Sequence, residues 1–174
     1  RNFLYNKRIF KSVEFDIPII CVGNLAMGGT GKTPHIEYLI KLLESLKNIA
    51  VLSRGFGRKT SEFTIANDDS TSYDIGDEPL QMYLKFSNIK VAVERKRVIG
   101  VVNLLYEFKK INTILLDDAF QHRSINPGLN ILLTTFNSPF YNDFILPIGN
   151  LRELRVGAKR ADVIVVTKCP NLLS

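Results

Sequence analysis

No apolar run in this chain reaches the roughly 18 residues that a membrane-spanning helix needs, and no signal peptide is visible. Cysteine is scarce as well. Cys21 and Cys169 are the only two, far apart, beside apolar runs and in no C-x-x-C or metal-ligand spacing. That pattern excludes a disulfide framework and a cysteine-built zinc site, and reads as two buried thiols in a reducing cytosol. Internal repeats and low-complexity segments are missing. So are interleaved base-stacking aromatics and a recognition helix, which argues against a nucleic-acid partner. There is no initiating methionine: the sequence starts at Arg1 and stops at Ser174, just past a strand-like run, so a fragment of a longer chain is expected.

What is present is an ordinary globular composition. The 174 residues are 45% hydrophobic and 23% charged, enough for one full core and too short to promise two. Lysine and arginine total 23 against 17 acidic residues, a net charge of +6. The excess favours anionic partners, whether nucleotide, nucleic acid or an acidic membrane surface, without choosing among them.

One stretch organises the rest. Val22 to Pro34 reads VGNLAMGGTGKTP, after the apolar run Ile17–Val22 and before a segment of helical periodicity. Strand, glycine-rich turn and helix N-terminus together make a phosphate cradle. Gly28, Gly29 and Gly31 let the backbone curl so that successive N–H groups face one anion. Lys32 can reach the β- and γ-phosphates, and the Thr33 hydroxyl can ligate Mg2+. Nucleotide contacts are therefore expected from Ala26, Met27, Gly28, Gly29, Thr30, Gly31, Lys32 and Thr33. Ala26 departs from the strict pattern G-x-x-x-x-G-K-S/T, which has glycine there.

Periodicity predicts helices over Thr33–Leu46, Gly76–Phe86 with Asp77 as N-cap, and Glu94–Phe108. Buried strands are predicted at Ile49–Ser53, Ile89–Val93, Thr113–Leu116, Asn130–Thr134 and Val163–Thr167, with a short extra one at Phe63–Ala66 and a polar loop at Asn67–Tyr73. Wholly apolar strands alternating with amphipathic helices imply an α/β three-layer sandwich of the P-loop NTPase kind, with a mostly parallel sheet. Asn137 to Arg160 lacks clean periodicity, and a loop that long is usually functional or mobile. The opening Arg1–Lys11 is basic and amphipathic. It suits either an anionic membrane surface or a helix tail packed on the domain.

In an open α/β sheet, ligands gather beyond the carboxyl ends of the strands. Besides the cradle, three polar groups stand there. Asp117 and Asp118 end an apolar strand, the form expected of carboxylates that hold Mg2+ in P-loop enzymes. Arg54 and Arg58 lie on a glycine-hinged loop suited to an anionic substrate. Asp77 and Glu78 begin a helix, where a carboxylate can take a proton from a substrate hydroxyl. His122, Arg123, Arg152 and Glu153 complete the candidates. Together these supply what phosphoryl transfer requires: positioning, a metal site and positive charge around a γ-phosphate.

Taken in order, VGNLAMGGTGKTP, LSRGFGR, GDEP, LLDDAFQHR, LPIGNLRE and ADVIVVTK resemble the bacterial tetraacyldisaccharide 4'-kinase family of the lipid A pathway. The likeness covers nearly the whole chain, and the conjunction of motifs is far more specific than any one of them. It implies transfer of the ATP γ-phosphate to the 4'-hydroxyl of an acylated glucosamine disaccharide, with Mg2+, at the cytoplasmic face of the bacterial inner membrane. The resemblance assigns Lys32 and Thr33 to phosphates and metal, and Asp77 to activating the acceptor. It places Asp117 and Asp118 near the metal, and Arg152 and Glu153 in the later loop. Ala119 stands where the family usually has glycine.

The family also has a membrane-associated helix before this region and an Asp-His-His-type motif after it, and neither falls within these residues. The fragment alone is therefore expected to bind ATP–Mg2+ weakly and to lack normal turnover. Three other readings compete. A partition- or metallochaperone-type ATPase wants a signature lysine in the cradle where Met27 stands. A nucleotide-gated nucleic-acid module and a non-catalytic membrane-docked scaffold would both account for the positive charge.

Overall fold

The computed structural model describes residues 2–7, 9–46 and 48–171; Arg1 and Arg8 of the basic opening segment lie outside the described residues. In chain order the elements are α1 (Asn2–Asn6), β1 (Ile19–Asn24), α2 (Lys32–Leu42), β2 (Ile49–Ser53), β3 (Thr64–Ile65) and α3 (Ser72–Ile75). There follow α4 (Asp77–Lys85), β4 (Lys90–Val93), α5 (Arg97–Glu107), β5 (Thr113–Asp117), β6 (Leu129–Thr135) and β7 (Val163–Thr167). Seven strands form one sheet in the order β3-β4-β2-β5-β1-β6-β7. Every pairing is parallel except that of β3 with β4.

The apolar runs are explained by two cores on opposite faces of this sheet. Along β2, Ala50 and Leu52 pack with Val101 and Leu104 of α5, while Ile49 and Val51 pack with Ile36 and Ile40 of α2 and Met82 of α4. A strand covered on both sides has no solvent face, so its sequence does not alternate. Helices above and below give the expected mostly parallel α/β sandwich.

The differences from the sequence reading are local and have physical causes. Helix α2 stops at Leu42, and Glu44–Leu46 is a separate 3-10 turn. Helix α5 begins at Arg97 rather than Glu94, because Glu94 still follows β4 and its amide donates to the Ser53 carbonyl. A short helix, α3, lies within and just past the stretch read as a polar loop. It is fixed by a capping box in which Thr71 and Asp74 satisfy each other's backbone N–H groups. The N-cap of α4 is Gly76, not Asp77, which is the first helical residue. Cys21 is buried but Cys169 is exposed, because it follows β7 at the edge of the sheet rather than a central strand. Asn137–Arg160 holds only two 3-10 turns, in line with its irregular sequence.

Helix α1 packs on the body of the molecule. The Asn2 side chain donates to Glu153 at 2.9 Å, and Arg123 donates to the Asn2 carbonyl at 2.8 Å and covers the Tyr5 ring. Ile9 and Phe10, just beyond it, are exposed. No described helix is long and apolar enough to cross a membrane.

Candidate active site

Parallel register sets the geometry. Val22 of β1 lies beside Asp117 of β5, so the chain leaves β1 for the cradle at the level where β5 delivers its carboxylates. Gly28 and Gly31 take positive φ (107° and 87°), the conformation that lets the turn close on itself. Asn24, fully buried at the end of β1, braces the turn from within by donating to Thr30 Oγ1 (3.0 Å) and to the Gly28 carbonyl (3.4 Å). His35 Nδ1 lies 2.7 Å from the Gly31 carbonyl at the start of α2. On its outer side the cradle is tied to the irregular loop, since the Met27 amide donates to the Asn150 carbonyl at 2.8 Å.

The two carboxylates at the end of β5 have different environments. Asp117 is the last strand residue, 1% exposed, and takes a hydrogen bond from Ser53 at 3.0 Å on one oxygen. Its other oxygen, Oδ1, is buried with no partner. Burial raises its pKa, with further push from Glu78 and Asp118 against Ser53 and Arg97, to about 6. Asp118 turns out of the sheet in a left-handed conformation, φ 46°. Burial works to raise its pKa, yet the Arg152 hydrogen bonds and the charges of Lys32, Arg152 and Arg97 hold it below the usual carboxylate range. Arg152 grips it with both terminal nitrogens, at 3.1 and 2.8 Å, and also bonds the side chain and carbonyl of Asn24. Lys32 rests 3.7 Å from the same carboxylate.

These groups share one cleft of about 580 Å3. Lys32, Arg54, Asp77, Glu78, Asp117, Asp118 and Arg152 all line it, with Gly28 and Met27 of the cradle. The Asp77 side chain makes no hydrogen bond or ion pair among the described residues, so its carboxylate is a free acceptor. Its helix starts where it does because Gly76 has φ 91°, and a Cβ there would stand 2.7 Å from the Phe56 carbonyl. Across the surface, Glu37 of α2 accepts from Gln81 and Lys85 of α4, tying the cradle helix to the helix that carries Asp77.

The structure does not bring every candidate here. Arg58 is 6% exposed and turned inward, donating to the carbonyls of Ser61, Glu62 and Val93. Glu153 is 5% exposed and collects hydrogen bonds from Asn2, Gln121 and Arg160. His122 and Arg123 line a different cavity of about 390 Å3, together with Ser12 and Asn126. Two further contributors escape sequence reasoning. Asn24 obeys the same rule as the others, a polar residue ending an apolar strand. Arg97, buried completely on α5 and donating to the Asp117 carbonyl at 3.0 Å, hides in the charged run Glu94-Arg95-Lys96-Arg97.

The donor set fits Mg2+. This hard cation prefers oxygen and is usually held by one or two carboxylates plus substrate phosphates rather than by an all-protein cage. The unpartnered buried Oδ1 of Asp117 is the kind of oxygen such an ion satisfies. Among the described residues no group of three or more His, Cys, Asp or Glu side chains is placed to hold a metal ion, so phosphate oxygens would have to complete the site.

A raised pKa on Asp117 has a consequence for stability. A carboxyl whose folded pKa of about 6 exceeds its unfolded value penalises the folded state as it ionises. The penalty is absent below about pH 4, complete above about pH 6 and of the order of 3 kcal/mol. In the absence of nucleotide and metal, the stability of Asp117→Asn relative to wild type is expected to rise by about that amount between pH 4 and pH 7, whatever the offset at pH 4. Chemical denaturation at both values measures it, and a pH-independent difference would contradict the assignment.

Residues 1–172 match the family model for tetraacyldisaccharide-1-P 4'-kinase. The chain is 53% identical over 174 residues to a tetraacyldisaccharide 4'-kinase of Flavobacterium johnsoniae and 57% identical to that of Flavobacterium psychrophilum. All of this chain is covered in both, but only 51% of each relative, so the chain spans about half the length of the curated relatives it matches. Among solved structures, LpxK from Aquifex aeolicus in complex with ATP superposes with a TM-score of 0.88 at 37% identity, over 97% of this chain and 53% of that one. On these grounds the chain belongs to the tetraacyldisaccharide-1-P 4'-kinase family.

Proposed function

We propose that the full-length protein transfers the γ-phosphate of ATP to the 4'-hydroxyl of an acylated glucosamine disaccharide 1-phosphate, a lipid A precursor. The observation that carries this is the single cleft that collects Lys32, the Asp117–Asp118 pair, Arg152 and the unpartnered Asp77 beside the cradle. Mg2+ would be held by Thr33, Asp117 and Asp118, and would supply neutralising charge to the phosphates. Lys32 and Arg152 share Asp118 without ligand, so a bound triphosphate takes over positive charge already directed at its place. Asp77 accepts the proton of the attacking hydroxyl, and Arg54, which forms no ion pair among the described residues, faces the anionic substrate.

A second cavity of about 670 Å3 has Arg152 as a shared wall and Ile145, Leu154 and Val156 as apolar lining, which suits an acylated acceptor. The acceptor is a membrane lipid and ATP is cytoplasmic, so the reaction belongs at the cytoplasmic face of the inner membrane. The exposed Ile9 and Phe10 beside α1 are oriented to an anionic bilayer surface in this reading.

The test is a transfer assay on the full-length protein with γ-labelled ATP and the acylated disaccharide. Label appearing on the lipid is expected. Phosphate release that ignores the lipid would instead identify a plain ATPase of the partition or metallochaperone type.

A further inference from the structure

Phe56 is the most exposed large apolar side chain among the described residues, at 86%. It lines the active-site cleft, and its ring makes no aromatic or cation contact among the described residues. The rest of that lining is mainly charged: Lys32, Arg54, Asp77, Glu78, the Asp117–Asp118 pair and Arg152. Those groups serve phosphate, metal and proton, and a phenyl ring serves none of the three. Burying the ring in a core would have favoured folding, so its place in the cleft needs another reason.

A slack loop is not that reason, because the backbone around Phe56 is pinned on both sides. Gly55 before it is buried, with φ 69°, and a Cβ there would stand 2.6 Å from Arg58 Cδ and 2.8 Å from the Ile75 carbonyl. Two residues after it, Arg58 turns inward and anchors the loop on three backbone carbonyls. The Lys59 amide then donates to the Tyr73 carbonyl at 2.9 Å. The Phe56 carbonyl itself packs on Gly76, the residue before Asp77. A fixed backbone thus carries an exposed ring beside the helix start that presents Asp77.

The reaction sets what such a ring can recognise. An aromatic face is electron-rich, so it attracts the weakly polarised C–H bonds of a flat apolar surface. A glucosamine ring in its chair form carries its substituents equatorially, the anomeric position aside, and both its faces are therefore layers of axial C–H bonds. Stacked on one such face, an aromatic ring leaves the equatorial 4'-hydroxyl free at the sugar's edge, where a carboxylate can take its proton.

We infer that Phe56 is the platform for the acceptor sugar, its ring stacked on one face of the glucosamine whose 4'-hydroxyl meets Asp77. This rests on the acceptor proposed above and adds the residue that selects a sugar ring. Steady-state transfer by the full-length protein, with γ-labelled ATP and the acylated disaccharide 1-phosphate in mixed micelles, tests it on two variants. Leucine keeps apolar bulk without the aromatic face, and tyrosine keeps the face. Phe56→Leu is expected to lower kcat/KM for the lipid about tenfold and to shift KM for ATP by less than about twofold. Phe56→Tyr should stay within about twofold of wild type for both substrates. An exposed ring supports little of the fold, and unchanged Mg2+–ADP binding by Phe56→Leu checks that the cradle is intact. Wild-type turnover by Phe56→Leu would show that bulk alone suffices, as for an acyl-chain contact, and an equal loss of ATP affinity would put the ring on the nucleotide; either overturns the inference. If the wild type itself moves no label to the lipid, the lipid-kinase reading is refuted, whereas intact wild-type transfer leaves only the stacking at stake.

Discussion

Asp77→Asn in the full-length protein is expected to lower phosphoryl transfer to the lipid acceptor by about 10^2- to 10^4-fold, the range over which a positioned general base contributes. Asparagine keeps the size and hydrogen-bonding reach of the side chain but cannot accept a proton. The helix start is set by Gly76, not by the Asp77 side chain, so α4 should form unchanged. Because the Asp77 side chain has no partner among the described residues, its replacement strands no donor and leaves the cradle as it was. Binding of Mg2+–ADP should then stay within about twofold while the rate falls. That split between binding and turnover is diagnostic of a group used in the chemical step. Full turnover by the variant would remove Asp77 from the mechanism. A parallel loss of nucleotide affinity would make it part of the binding site instead.

The site was partly legible because its main residues obey a simple rule. An apolar strand that ends abruptly in glycine, serine or carboxylate must leave the sheet at its carboxyl edge, where parallel topology concentrates ligands. That rule finds Asp117, Arg54 and the cradle, and widened to any polar residue that ends an apolar strand it finds Asn24. Glu78 comes with the glycine-capped helix rather than with a strand. Arg58 and Glu153 show where composition misleads. Each reads from the sequence as a candidate substrate-site charge, yet one satisfies three backbone carbonyls, including Val93 of β4, and the other anchors Asn2 of α1 and Arg160. Exposure of Cys169 was hidden for a related reason. The run VIVVT reads as buried from its composition, but β7 is an edge strand and Val163, Ile164 and Val166 stay 43%, 49% and 48% exposed. Strand order is a property of the whole sheet, and no local pattern encodes it.

Arg97 is the residue whose loss should reach furthest into the fold. Its guanidinium, wholly inaccessible to solvent, bonds the carbonyls of Glu94 and Asp117, joining the start of α5 to the end of the central strand β5. Burial lowers its pKa to about 10 against the pull of Asp117 and Asp118, so the side chain stays charged at neutral pH. Arg97→Leu fills much of the space but removes the charge that offsets Asp117. A buried ion deprived of its counter-charge typically costs about 3–5 kcal/mol. Amide exchange of β1, β2 and β5 should accelerate accordingly. Without Arg97 the Asp117 carboxyl loses an opposing positive charge, so its pKa moves further up and the penalty should deepen as pH rises from about 6 to 8. Removing the carboxylate as well tests the pairing directly. In an Asp117→Asn background the cost of Arg97→Leu should shrink by at least about 1 kcal/mol, since the charge that Arg97 offsets is gone. Strictly additive effects of the two substitutions would show that Arg97 serves only the backbone carbonyls, and would detach it from the electrostatics of the site.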